Sequence, residues 1–141
     1  MNFKNELDSN QIFAVVSGAS SKLELETYVV GGFVRDLILN RPCKDVDFVC
    51  IGSGIQLANQ VGSDLGKEQV TVFKNFGTAM IKHHDFDLEF VGARKESYRN
   101  ESRKPMVEDG TLSEDQQRRD FTINALAISL SLTNYGDLMP L

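Results

Sequence analysis

The chain has 141 residues, of which 41% are hydrophobic and 25% are charged, a balance typical of one globular domain with its own core. Its formal net charge of -5 argues against a protein whose main work is to grip nucleic acid with a basic surface, but not against an enzyme that meets RNA only at its end. No apolar run approaches the roughly 18 residues of a membrane span, and residues 1–7 mix Asn, Lys and Glu, so we expect no signal peptide there. Cys43 and Cys50 fit neither a disulfide framework nor a zinc spacing, so we expect a reduced, cytoplasmic protein.

Hydrophobic periodicity predicts alternating helices and strands along most of the chain. The first helix is expected over residues 8–20, capped by Asp8 or Ser9. The elements predicted after it are a strand over 27–30, a helix over 33–39, a strand over 45–51, a helix over 53–65 that stops at Gly66, strands over 70–73, 78–82 and 86–91, a polar loop over 92–117 and a helix over 121–132. This order predicts an α/β fold, a mixed sheet with helices packed on it.

Two glycines follow the first predicted strand and open a helix, within the segment 31–36, GGFVRD. Gly31 and Gly32 allow a ligand to approach the backbone closely, and the free N–H groups at the start of a helix suit phosphate. Arg35 lies one helical turn further on, where its guanidinium can bind the same anion. The segment therefore indicates a phosphate site, and the alternative is a plain turn followed by a surface pair of Arg35 and Asp36.

Asp45 and Asp47 alternate on the next predicted strand, so both carboxylates project from one face while Val46 and Phe48 project from the other. Two like charges this close repel each other unless a cation lies between them. Proteins commonly hold Mg²⁺ with one or two carboxylates together with substrate phosphates. The pair therefore indicates a magnesium site, with a solvated strand face as the alternative.

Asp87 and Glu89 share one face of a later predicted strand in the same way. If that strand lies beside the strand of Asp45 and Asp47, Glu89 can supply a third acid to the same site. Asp87 competes for this role, and exposed acids at the edge of a sheet are the alternative for both.

A fourth group, residues 118–125 with the sequence RRDFTINA, places two arginines before a predicted helix. Arg119 can neutralise triphosphate charge, and Asp120 can accept a hydrogen bond from a ribose hydroxyl. Asn124 lies in an otherwise apolar helix and needs a partner. An ordinary N-cap with solvated arginines is the alternative. By contrast, we expect His83 and His84 to be surface residues that point to opposite faces of a strand and hold no common metal.

Taken in chain order, the GGFVRD, DVD and RRDFTINA segments resemble the head domain of class II tRNA nucleotidyltransferases and bacterial poly(A) polymerases, from about Tyr28 to Ala127. The resemblance implies the polymerase β-like nucleotidyltransferase fold and template-independent nucleotidyl transfer from CTP and ATP to the 3′ end of tRNA. It also implies two-metal catalysis with Mg²⁺ as the cofactor. The acids of that site, of which the first two carry the Mg²⁺ ions, are Asp45, Asp47 and Glu89. The implied nucleotide-binding residues are Gly31, Gly32, Arg35, Arg119, Asp120 and Asn124.

In that family a Glu-Asp-x-x-Arg element of the next, helical domain selects the base, and we expect this chain to end before any such element. Residues 136–141, GDLMPL, do not resemble a natural ending, so we expect residues 1–141 to be a single head domain, the N-terminal fragment of a longer protein. We expect nucleoside triphosphates and the tRNA 3′ end as partners, no obligatory protein partner, and poor activity of the fragment alone.

Two alternatives share the same sequence features. One is the head of a poly(A) polymerase, and the other is a catalytically silent nucleotide-binding module of a larger protein. The paired Asp45 and Asp47 argue against the silent module, because a protein that only binds has no need to hold two repelling carboxylates on one face.

Overall fold

The computed structural model of the chain describes residues 1–66, 68–97, 106–109 and 126–139. Its helices are α1 (Lys4–Asp8), α2 (Gln11–Lys22), α3 (Gly32–Ile38) and α4 (Gly54–Asp64). Its strands are β1 (Thr27–Val30), β2 (Asp45–Cys50), β3 (Val70–Phe73), β4 (Thr78–His83), β5 (Phe86–Gly92), β6 (Arg94–Ser97), β7 (Met106–Asp109), β8 (Ala127–Ser129) and β9 (Leu138–Met139). Within these residues, no helix has both the length and the apolar composition needed to cross a membrane.

Seven of these strands form one mixed sheet in the order β3-β4-β5-β2-β1-β8-β9. β2 and β5 run parallel, whereas the other neighbouring pairs of the sheet run antiparallel. The predicted fold class, a mixed sheet with helices packed on it, is confirmed. The two strands that carry the candidate acids are therefore direct neighbours near the middle of the sheet.

The main core lies between one face of the sheet and the helices. Val46 and Phe48 of β2, Leu88 and Phe90 of β5, and Leu57 of α4 are all buried in it. The rings of Phe48 and Phe90 stack with their centroids 5.0 Å apart. Because side chains alternate along a strand, the acids between these residues project from the opposite face of the sheet.

Most of the predicted elements are confirmed to within one residue at each end. They are the strands predicted over 27–30, 45–51, 70–73, 78–82 and 86–91 and the helices predicted over 33–39 and 53–65. Gly66, at φ 99°, follows the end of α4 as predicted. Ser53 caps the start of this helix by accepting a hydrogen bond from the main-chain N of Gln56 at 3.1 Å.

The prediction for the first helix was wrong in its start and in its cap. The segment holds two helices, because α1 ends at Asp8 and Ser9 is its C-cap. Asn10, with extended backbone angles, caps α2 and accepts a hydrogen bond from the main-chain N of Ile12 at 2.9 Å. The short α1 forms because Leu7, fully buried, anchors it in the core.

The predicted helix over 121–132 is contradicted in its C-terminal part, where residues 127–129 form the strand β8. This strand is buried and pairs with β1 on one side and with β9 on the other. The sequence carries the reason: Leu126, Ile128 and Leu130 alternate with smaller residues, a period of two that the helix-favouring Ala and Leu content obscured. The earlier part of the predicted helix lies outside the described residues.

The predicted loop over 92–117 is also wrong where it is described. β6 and β7 pair antiparallel as a separate two-stranded ribbon, with Arg94 opposite Asp109 and Ser97 opposite Met106. The sequence of β6, RKES, is polar throughout and shows no apolar alternation. Pairing through the backbone needs none, so the hydrophobic pattern could not reveal this ribbon.

Candidate active site

The turn after β1 brings the glycine segment against the first acidic pair. Val30 ends β1 opposite Asp47 of β2, and Gly31 follows at φ 77° and ψ -145°, a conformation that favours glycine. A Cβ atom at Gly31 would lie 3.2 Å from Oδ2 of Asp47, tighter than ordinary van der Waals contact. Glycine at this position therefore allows the backbone to turn and also leaves space for the carboxylate of Asp47.

Arg35 lies beside the same turn, on the first turn of α3. Its main-chain N donates to the carbonyl oxygen of Gly31 at 3.2 Å. Its guanidinium lies over the backbone of Gly32, since a Cβ there would be 3.4 Å from Nη2 of Arg35. The side chain is 39% exposed, so a ligand can reach it. The proximity of Arg35 to both glycines agrees with the predicted phosphate site, but a plain turn before a helix would place Arg35 there as well.

Arg35 is also ion-paired with its neighbour, as the alternative interpretation of this segment required. Its Nε donates to Oδ1 of Asp36 at 3.1 Å. This hydrogen bond and the opposite charge hold the pKa of the Asp36 carboxyl below its usual value and raise the pKa of the Arg35 guanidinium. Arg35 therefore stays charged, and Asp36 fixes one edge of its guanidinium.

The parallel pairing of β2 and β5 meets the condition set for the later acids. In register, Asp47 lies opposite Glu89 and Asp45 lies opposite Asp87. Asp45 is exposed, whereas the other three are partly buried. The register makes Glu89 the neighbour of Asp47, and it gives Asp87 the same relation to Asp45.

This set of donors fits a magnesium ion held partly by its substrate. Within the described part of the chain, no three His, Cys, Asp or Glu side chains converge closely enough to hold a metal by themselves. Asp45 and Asp47 nevertheless offer two hard oxygen donors on one face of β2, next to the glycine turn. Because Mg²⁺ is usually bound by one or two carboxylates plus phosphate oxygens, two acids beside a phosphate site suffice.

The two histidines do not behave as the sequence predicted. His83 is 6% exposed, on the core face of β4, and its Nδ1 lies 3.0 Å from Oε1 of Glu68. His84 lies outside the strand at φ 54°, in the hairpin turn. The two rings therefore touch edge to face, with centroids 4.2 Å apart, instead of pointing to opposite faces. Neither ring lies on the face of the acids in the sheet.

Three of the predicted nucleotide-binding residues lie outside the described residues, namely Arg119, Asp120 and Asn124. One residue that the sequence analysis considered only as a surface partner of Arg35 has several contacts at the site. Asp36, only 14% exposed, accepts from Arg35 and lies 3.4 Å from Nη2 of Arg41. The available signal was its place in the GGFVRD segment, one residue after the arginine.

Comparison with known sequences agrees with this geometry. The profile of the poly(A) polymerase head domain matches residues 27–139. The chain is 47% identical over 115 residues to an A-adding tRNA nucleotidyltransferase from Aquifex aeolicus, covering 82% of this chain and 14% of that protein. It is 33% identical over 140 residues to an A-adding tRNA nucleotidyltransferase from Halalkalibacterium halodurans, covering 99% of this chain and 33% of that protein.

Solved structures give the same result. A tRNA nucleotidyltransferase complexed with a primer tRNA and an incoming ATP analog is 42% identical, with a TM-score of 0.76 over 89% of this chain and 34% of that one. A CCA-adding enzyme in an apo form is 28% identical, with a TM-score of 0.84 over 99% of this chain and 34% of that one. The chain thus spans about a third or less of the length of these relatives.

Proposed function

Because this chain belongs to the poly(A) polymerase head-domain family, we propose that it transfers nucleotides from CTP or ATP to the 3′ end of tRNA, as the head of a longer enzyme. The observation that carries the proposal is the contact between the glycine turn and the acidic strand, in which Gly31 leaves room for the carboxylate of Asp47. A phosphate site and a metal site that touch are what transfer of a nucleotide from a triphosphate requires.

The residues of the chain divide the work by their position. Gly31 and Gly32 let the triphosphate approach the backbone, and Arg35 contributes its positive charge beside them. Asp45 and Asp47 are the residues that would hold Mg²⁺, with Glu89 next to Asp47 on β5. When bound there, Mg²⁺ supplies the charge that favours deprotonation of the RNA 3′-hydroxyl and departure of pyrophosphate.

A histidine base is not part of this proposal. His83 contacts Glu68 on the core side of the sheet, and Asp47 and Glu89 project from the other face. The chain therefore contributes placement and charge at the site, without a covalent intermediate. For Arg119 and Asp120 the proposal keeps the roles that the resemblance implies, in phosphate and ribose binding, and Asn124 stays a predicted nucleotide-binding residue.

The names of the relatives favour tRNA over a poly(A) tail as the acceptor. The relatives described above are tRNA nucleotidyltransferases or CCA-adding enzymes, and one was solved with a primer tRNA. A catalytically silent module is the remaining candidate from another class. The contact of Asp47 with the glycine turn argues against it, since a carboxylate beside a triphosphate weakens binding unless a metal ion lies between them.

The substitution Asp47→Asn tests the proposal. Transfer is measured in a hybrid enzyme in which this chain replaces the head of the Halalkalibacterium halodurans relative, with a tRNA that lacks its 3′ end as acceptor. We expect the hybrid to extend the tRNA and Asp47→Asn to slow it by more than about 100-fold, because loss of metal charge stabilisation costs several kcal/mol.

Asp64→Asn is the matched control for this substitution. Asp64 ends α4 on the helical side of the sheet, where it pairs with Lys22 at 3.1 Å, and its replacement also removes one carboxylate. We expect the control to retain the transfer rate. Full activity of Asp47→Asn at saturating Mg²⁺ would remove Asp47 from the metal site, and an inactive hybrid that still binds Mg²⁺ and ATP would favour the silent module.

A further inference from the structure

The carboxylate of Asp36 connects two segments that the proposed function uses separately. On α3 it accepts from Nε of Arg35 at 3.1 Å, and Nη2 of Arg35 lies 3.5 Å from its other oxygen. On the segment that follows α3 it pairs with Arg41, whose Nη2 lies 3.4 Å away. Arg41 is held a second time through its main-chain N, which donates to the carbonyl oxygen of Asp36 at 2.7 Å.

The same network reaches the first acid of β2. Two residues beyond Arg41, the thiol of Cys43 donates to the carbonyl oxygen of Asp45 at 3.3 Å. The segment that Asp36 holds through Arg41 is therefore also bonded to the backbone of Asp45. The side chain of Asp36 is 14% exposed, and these contacts hold it in place.

The negative charge of Asp36 allows an electrostatic role of this residue to be distinguished from a positioning role. A carboxylate next to the arginine of a triphosphate site repels the triphosphate and neutralises part of the charge that attracts it. On electrostatic grounds alone, removal of this carboxylate should strengthen triphosphate binding. If Asp36 instead orients its neighbours, its removal should weaken binding, so the two explanations predict changes of opposite sign.

We propose that Asp36 is a positioning residue that fixes Arg35 against the glycine turn and fixes the segment leading to Asp45, so that the triphosphate site and the metal site are set in one arrangement. This inference rests on the proposed function, because it assigns Asp36 a role through Arg35 and Asp45. Asp36 itself touches neither nucleotide nor metal in this role.

The experiment measures the binding of ATP to the 141-residue chain by calorimetry, over a series of Mg²⁺ concentrations and well below the melting temperature. We expect Asp36→Asn to raise the Kd for ATP at least about fivefold and to raise the Mg²⁺ concentration at half-saturation with it. Asp64→Asn removes a carboxylate from another ion pair, with Lys22, and should change neither value. Asp36→Glu keeps the charge and should restore part of the binding.

Two results would overturn the inference while leaving the proposed function intact. One is that wild type binds ATP and Asp36→Asn binds it equally or more tightly. The other applies if Asp36→Asn does not fold, in which case Arg41→Gln decides. That substitution alters a side chain that is 58% exposed and should still raise the Mg²⁺ half-saturation point. An unchanged value would reject the connection to Asp45. Wild type that binds no ATP at any Mg²⁺ concentration would instead overturn the proposed function itself.

Discussion

Gly31 is the residue at which backbone conformation and chemistry meet most closely. Its φ of 77° with ψ of -145° is a combination that side chains disfavour, and its missing Cβ is what leaves Oδ2 of Asp47 its place. Two independent constraints at one position explain why a substitution there should affect both stability and nucleotide binding.

We expect Gly31→Ala to destabilise the chain by about 1–3 kcal/mol, because alanine at this φ and ψ is strained and its Cβ meets the carboxylate of Asp47. It should also weaken the Mg²⁺-dependent binding of ATP. Gly77→Ala is the control: Gly77 has φ 65°, and a Cβ there meets nothing within 4 Å. Urea unfolding of both variants, with calorimetry for ATP, separates the two effects. A Gly31→Ala variant that loses stability but binds ATP normally would show that the turn serves the fold alone.

Tyr28 gives the chain a sensitivity to alkaline pH. Burial of its ring and a hydrogen bond to Glu26 at 3.0 Å raise the pKa of its phenol to about 12. Because the folded pKa is raised above the unfolded value near 10, the stabilisation is complete below pH 10 and is lost as pH rises towards 12. We expect the free energy of unfolding of Tyr28→Phe to fall less between pH 9 and 11.5 than that of wild type. Part of the decline should persist, since the pKa of Tyr135 is also raised to about 12. Equal losses in both proteins would contradict the assignment to Tyr28.

At the scale of elements, β8 is the strand on which sequence and structure disagree most. Ile128 is fully buried between β1 and β9, whereas Leu132, three residues after the strand, is 75% exposed. We expect Ile128→Ala to cost about 2–5 kcal/mol and Leu132→Ala to stay within about 0.5 kcal/mol. Chemical unfolding of the two variants provides the measurement. Equal costs would mean that residues 127–132 pack as the amphipathic helix that the sequence first predicted.

The elements that were predicted correctly are those whose hydrophobic pattern fits only one type of secondary structure. β2 carries acids on one face and Val46 and Phe48 on the other, and this alternation fits only a half-buried strand. The prediction for β8 was wrong because its sequence fits both a helical period and the period of two of a strand. Which of the two forms depends on pairing with the edge of β1, a residue range far away in the sequence. The ribbon of β6 and β7 was missed because β6, RKES, is polar throughout and pairs through its backbone, which leaves no hydrophobic alternation to detect.

For the site, sequence could supply the residue types but not their distances. The pairing of Asp47 with Glu89 depends on the parallel register of β2 and β5, which are separated in the chain by α4, β3 and β4. The proposed role of Asp36 depends on a turn of the chain that brings Arg41 next to it. The sequence alone, in which an acid simply follows an arginine, does not predict this contact. Motif spacing thus indicates the chemistry, whereas the tertiary fold decides which neighbours orient each group.

At the scale of the whole molecule, the chain carries the proposed phosphate-binding and metal-binding residues on an acidic domain with a net charge of -5. We expect CTP, ATP, GTP and UTP to bind this chain within about threefold of one another, under roughly 0.7 kcal/mol apart. The reason is that the triphosphate and the metal supply the affinity, and the described site contains no group placed to read a base. A four-nucleotide calorimetric series at fixed Mg²⁺ makes the test.

If the chain does prefer one base, one segment of its sequence is the first candidate for the base-selecting element. The family's base-selecting pattern, Glu-Asp-x-x-Arg, occurs once in the sequence, at residues 114–118, EDQQR, so the expectation that the chain ends before any such element was wrong for the sequence pattern itself. This segment directly precedes the remainder of RRDFTINA and lies outside the described residues. If a preference appears and Asp115→Ala abolishes it, the base reader lies in the head.

The pairing of β1 with β8 has a consequence for how the chain is made. Val29 pairs on one side with Phe48, which is synthesised soon after it, but its partner on the other side, Ile128, follows only about 100 residues later in the chain. Until then the nascent sheet exposes an apolar edge of sequence TYVV, the kind of edge that recruits other chains. Closing so long a loop costs conformational entropy, and contacts between residues far apart in sequence form slowly. We therefore expect the domain to depend most on chaperones in the interval before β8 pairs with β1.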